Sequence, residues 1–88
     1  MKPENDTANY FKAVIAYDLK KFDVANEDFK KVMTNKQSSF YYDAEFRLGF
    51  SLLKSGKKEE AKLQFEKIKS NSESPYSSEA TTILKELF

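Results

Sequence analysis

Apolar residues in this chain recur at steps of three and four, and no run alternates apolar with polar, so the pattern predicts helices throughout. Tyr10, Ala13, Val14 and Tyr17 fall on one stripe of a first helix over residues 6–20. Ala25, Phe29 and Val32 share a face of a second, over 23–34, with Asp23 placed to cap its unpaired first amides. A polar link, 35–39, follows. Phe46, Leu48, Gly49, Phe50, Leu52 and Leu53 make a third helix apolar over much of its circumference, which marks it as a middle element touched from several sides. Gly56 ends it, because glycine takes the left-handed conformation of a helix C-terminus without steric penalty. Glu59 and Glu60 open a fourth helix, where negative charge is favourable, and Ala61, Phe65 and Ile68 form its buried stripe. Past a polar stretch at 70–74, Ser74 and Pro75 read as the cap and first residue of a fifth helix that runs to the C-terminus. Its Ile83, Leu84, Leu87 and Phe88 form a stripe able to cover Phe65 and Ile68.

This skeleton is written twice and then half again. Displaced by thirty-six positions, Ala8 lands on Ala44, Tyr10 on Phe46, Ala13 on Gly49, Tyr17 on Leu53, Ala25 on Ala61, Phe29 on Phe65 and Val32 on Ile68. In the third, partial copy Phe40 lands on Tyr76, Ala44 on Ala80 and Leu48 on Leu84. Self-similarity at such a period marks a solenoid, in which neighbouring units bury one another's faces and leave an extended surface for partners. The units are 6–36, 38–71 and a capping half-unit at 74–88. Their shared packing demands predict an interior of Ala13, Ala25, Phe29, Val32, Leu48, Gly49, Leu52, Ala61, Phe65, Ile68, Ala80 and Leu84. Because Gly49 matches Ala13, its position calls for a small residue at a close helix crossing, and alanine at 49 is expected to be tolerated.

Composition removes several function classes. Fifteen basic residues against fourteen acidic leave a formal +1 with no basic block, which argues against nucleic acid as a ligand, since phosphate neutralisation needs a concentrated footprint. Neither cysteine nor histidine occurs, and no nucleophile motif or phosphate-cradling glycine loop is present. Glu59 and Glu60 are adjacent on a helix and point apart, which suits a helix start and not an acid/base pair. The expectation is a protein without catalytic activity, cofactor or metal. The longest apolar stretch, Ala13 to Tyr17, is far too short to insert in a bilayer, and the residues from Lys2 to Thr7 lead into no signal-peptide hydrophobic region.

The run from Leu48 to Ile68 resembles a tetratricopeptide repeat. Adjacent leucine and glycine (Leu48-Gly49), a large apolar residue three further on (Leu52), a glycine turn (Gly56), then Ala61, Phe65 and Ile68 follow that family's order. The first unit departs from it, with Lys12 at the place of Leu48 and Lys20 at the place of Gly56. The period exceeds the family's usual length of about 34 residues. This longer period and the 74–80 link are similar to tetratricopeptide domains of bacterial cell-envelope proteins, those working with the Tol-Pal system and outer-membrane assembly. The resemblance implies an all-α fold of antiparallel helix pairs in a right-handed superhelix, five helices in all, and a periplasmic scaffold, with the cytoplasm as the alternative compartment.

In that family the first helix of each unit lines a concave groove. Carried over, the groove positions here are Asp43, Phe46, Phe50, Leu53 and Lys54, preceded by Thr7, Tyr10, Val14, Tyr17 and Asp18 and continued by Glu79, Thr82 and Glu86. The lysines and asparagines with which some members clamp a terminal carboxylate are not at these places. The implied role is a protein-binding module taking an apolar or amphipathic segment on aromatic anchors, with Asp43 and Lys54 orienting it at the rim. An aromatic stripe at this spacing also serves to pack helices together. The competing expectation is a structural segment whose apolar faces pack on another copy, giving a homo-oligomer, or on a parent chain. Tyr41 and Tyr42, at the start of the third helix, are expected to be loop-packing aromatics; the alternative is an exposed Phe40, Tyr41 and Tyr42 cluster serving as a second contact patch.

Overall fold

The three-and-four spacing becomes five helices in a computed structural model that describes residues 6–88; the reading of the chain before Asp6 lies outside the described residues. They are α1 (Asp6–Asp18), α2 (Phe22–Met33), α3 (Tyr41–Lys54), α4 (Lys58–Ser70) and α5 (Ser77–Leu87), with no strand among the described residues. The fold is all-α. No helix of it is long and apolar enough to cross a membrane.

What ends each helix repeats at the same thirty-six-residue interval as the side chains. Lys20 and Gly56 adopt the left-handed conformation, at φ 63° and 84°. The amide of Lys21 donates back to Ala16 O at 2.8 Å, and that of Lys57 to Leu52 O at 2.9 Å. Both close their helix with the same six-residue loop of hydrogen bonding, which satisfies carbonyls that would otherwise be orphaned. Lys20 therefore does the work of Gly56 with a side chain attached.

The unit-to-unit links repeat as well. Asn35 Oδ1 accepts from the Gln37 amide and Ser38 Oγ from the Phe40 amide, at 3.0 and 3.1 Å. Asn71 and Ser74 do the same for Glu73 and Tyr76, at 3.0 and 3.1 Å. This corrects the expected start of the fifth helix. Ser74 is buried and serves a turn, Pro75 sits in that turn, and α5 begins at Ser77 after Tyr76. Asp23 is corrected too: α2 begins at Phe22, with Lys21 between it and the left-handed Lys20, and no side chain caps it. Asp23 lies in its first turn, still favourably placed against the positive end of the helix.

Each helix packs on the next in sequence, α1 on α2 through to α4 on α5. The molecule measures 40 × 29 × 16 Å, the last dimension being about two layers of helices at their usual 8–10 Å spacing. The interior holds Phe29, Phe65, Val32 and Ile68 among five fully buried alanines, with Leu48, Leu52 and Gly49 also buried. Two residues of α5 depart from expectation. Leu84 is only half-buried against the core, and Leu87 is exposed, because among the described residues α5 packs on α4 from one side.

Gly49 lies under the Phe65 ring. A Cβ there would stand 2.6 Å from Phe65 Cζ and 2.7 Å from Cε1, closer than packed carbons approach. This geometry opposes the expected tolerance of alanine. Phe65 is held by edge contacts from Phe46 and Phe50, at 6.2 and 5.2 Å between centroids, and cannot retreat as a free ring would. In the first unit Val14 stands in place of Phe50, so Phe29 meets the edge of Tyr10, at 6.2 Å, without a second ring from that position.

Candidate protein-binding groove

Asp43, Phe46, Arg47 and Phe50 stand at steps of three, one and three along α3, which sets them on one face. Tyr10 reaches this face from α1, and Tyr76 from the link before α5. Together the six line a concavity of about 390 Å³. Tyr76 lies flat on Phe46, centroids 4.4 Å apart and planes 4° from parallel, while Phe50 meets Phe46 edge-on at 5.2 Å. The Tyr76 hydroxyl donates to the Asp43 carboxylate, and this bond, with burial behind it, pushes the phenol up to about 12. Asp43 thus fixes the ring that forms one wall.

One unit earlier the same stack recurs, with Tyr10 on Phe40 at 4.5 Å and 14°. Phe40 has no hydroxyl, and Thr7 stands where Asp43 does, so the first copy lacks the hydrogen bond. Arg47 lies over this stack, its guanidinium 6.0 Å from the Tyr10 centroid. A smaller hollow of about 60 Å³ adjoins, lined by Tyr17, Arg47 and Phe50. On the other side of Phe46 a shallow concavity of about 320 Å³ is bounded by Ser78, Glu79, Thr82 and Ile83 of α5. Side chains of α1, α3 and α5 therefore share one continuous face.

No family model, curated protein or solved structure matches this chain.

Of the residues assigned to a groove from sequence, Asp43, Phe46 and Phe50 come together with Tyr10, and Tyr17 joins them at the side. Tyr10 is 6% exposed and belongs chiefly to the core, presenting only an edge. Val14 and Leu53 are half-buried against the core and line none of the three hollows, and Lys54 is exposed at the end of α3 outside them. Glu79 and Thr82 lie on the α5 side, whereas Thr7, Asp18 and Glu86 are exposed beyond it. In the main hollow two lining residues were missed, and on the α5 side Ser78 and Ile83 as well. Tyr76 was signalled by its match to Phe40, and Arg47 by being the chain's single arginine, one residue from Phe46.

The proposed second patch is not an exposed one. Phe40 is committed to the Tyr10 stack, and Tyr41 and Tyr42 are half-buried against each other. Tyr41 faces Glu45, whose carboxylate is buried on the far side of α3 with Lys67 at 3.7 Å and Oε1 unpaired. Burial raises the Glu45 carboxyl above its ordinary value, and Lys67 offsets this only in part.

Proposed function

We propose that this chain is a non-catalytic protein-binding module, a right-handed stack of tetratricopeptide-like units whose α1, α3 and α5 present a groove to an apolar or amphipathic segment. The observation that carries the reading is the half-buried aromatic floor at Phe46 and Phe50, which packs on the core from one side and lines a concavity on the other. The recurrence of helix ends and links at one interval supports the repeat assignment. Aromatic anchors in a partly desolvated hollow are where binding energy concentrates. The test is Phe50→Ser, with circular dichroism to follow the fold and a peptide library displayed on phage to follow binding. Peptides retained by the parent and lost by a folded variant support the groove. If the folded variant retains the same peptides, the binding surface lies elsewhere.

A second reading, association through an exposed helix face, is favoured by one observation. Phe11 and Ile15, one turn apart on α1, and Leu19 just past its end are 51, 58 and 62% exposed. The counterparts of Ile15 and Leu19 are Ser51 on α3 and Ser55 at its end, which meet α2 through hydrogen bonds, Ser51 Oγ to Phe22 O and Asn26 Nδ2 to Ser55 Oγ. Light scattering over a concentration series, with Ile15→Lys alongside, tests it. A monomer at every concentration counts against this reading.

A further inference from the structure

Among the described residues, Arg47 is a cation without a carboxylate. It is exposed, and it lines two adjoining hollows with Phe50. Asp43, one turn before it on α3, stands at the spacing for an ion pair. Yet the Asp43 carboxylate accepts from the Tyr76 hydroxyl, and among the described residues no carboxylate pairs with Arg47. A guanidinium near an aromatic ring keeps its planar fork of donors available for a second partner.

We propose that the groove takes a peptide segment of a partner protein in which an aspartate or glutamate side chain stands beside a large apolar one. The carboxylate pairs with the Arg47 fork, and the apolar side chain packs on Phe46 and Phe50. This rests on the reading of the groove as a protein-binding surface. Charge complementarity selects the occupant: an arginine fork matches a carboxylate through two parallel hydrogen bonds, a match that an ammonium does not make. The hollow beneath it is aromatic, so the residue next to the carboxylate must be apolar to fill it. Nucleic acid would need a basic footprint that one arginine does not supply.

The experiment pans a random peptide library on phage against the full chain, then measures the selected peptides by fluorescence anisotropy on the parent, Arg47→Gln, Arg47→Lys and Arg47→Glu. Since Arg47 is exposed, the variants are expected to melt as the parent does. The inference expects an Asp or Glu next to a large apolar residue in the selected peptides. It also expects affinity about tenfold to a hundredfold weaker in Arg47→Gln, the scale of a lost charge-assisted contact, and intermediate affinity in Arg47→Lys. Arg47→Glu should select Lys or Arg at the place of the acid. Peptides that bind in a Phe50-dependent way but show no acidic preference, or that bind Arg47→Gln unchanged, overturn the inference and leave the groove standing. If the parent retains no peptide, or none whose binding depends on Phe50, the groove reading fails and the inference with it.

Discussion

A single hydrogen separates the α3 backbone at position 49 from the ring of Phe65. Gly49→Ala is accordingly expected to lower stability by about 1–3 kcal/mol, the usual cost of overpacking a close-packed interior, although alanine is the better helix former by about 1 kcal/mol. Denaturant melts measure it, and an unchanged midpoint would show that the Phe46, Phe50 and Phe65 cluster yields. That the site demands a small residue was legible from its match to Ala13. The three-ring clamp that makes even a methyl too large was not, because it depends on how Phe46 and Phe50 meet Phe65 in space. Glu45 supplies a second test. Its carboxyl is raised in the fold, so the stability it contributes is fully present below its ordinary value of 4.5 and is lost as pH rises through the raised one. Glu45→Gln should remove that loss and be more stable than the parent at pH 7, by on the order of 1 kcal/mol for relieving an incompletely paired buried charge. The ion pair given up is worth little, since Lys67 is mostly exposed. Thermal melts from pH 4 to 8 should show the two proteins converging toward acid; a variant less stable at pH 7 contradicts the argument.

Helices were easier to read than their ends. The stripes through Phe29 and Phe65 defined α2 and α4 because burial imposes period and residue size together, whereas the starts of α2 and α5 depended on loop hydrogen bonds that periodicity does not carry. Asn35 with Ser38, and Asn71 with Ser74, were visible as polar residues but not as paired turns. The end of α1 offers an internal comparison, since Lys20 holds the conformation that Gly56 holds in the next unit. A side chain in that conformation costs roughly 1–2 kcal/mol, and glycine gives back part of this as entropy in the unfolded chain. Lys20→Gly should therefore raise stability by about 1 kcal/mol in a denaturant melt, and a loss would mean that the lysine stem contributes packing. At the other end, α5 buries Ala80, brings Phe88 to 6.3 Å from Phe65 and follows the Tyr76 that stacks on Phe46. Truncation after Asn71 uncovers these rings and should unfold or aggregate the protein, at roughly 25 cal/mol for each Å² of apolar surface exposed. A truncated chain that melts like the whole would show that α5 adds nothing.

Across the whole molecule the interval of thirty-six residues accounts for more than the core. It relates two left-handed helix ends, two paired turns and two aromatic stacks, so the architecture was legible once the sequence was laid on itself. The candidate groove was legible where it lies on α3, at Asp43, Phe46 and Phe50, and in part on α1 and α5, at Tyr10, Tyr17, Glu79 and Thr82. Its other wall comes from Tyr76, in a link, and its positive charge from Arg47, whose counterpart Phe11 is apolar. Symmetry predicts what units share; a recognition surface is built from what they do not. Packing between neighbours in sequence also has a consequence for how the molecule comes apart. No helix depends chiefly on a distant one, so chain closure costs little entropy and folding should be fast, in the microsecond to millisecond range of helical proteins with local contacts. Opening, in turn, should proceed from either end inward, one helix at a time. Amide hydrogen exchange reads this directly: protection should be greatest in α3, flanked on both sides, and should decline through α2 and α4 toward α1 and α5. Equal protection along the chain would mean that all five helices open as one unit.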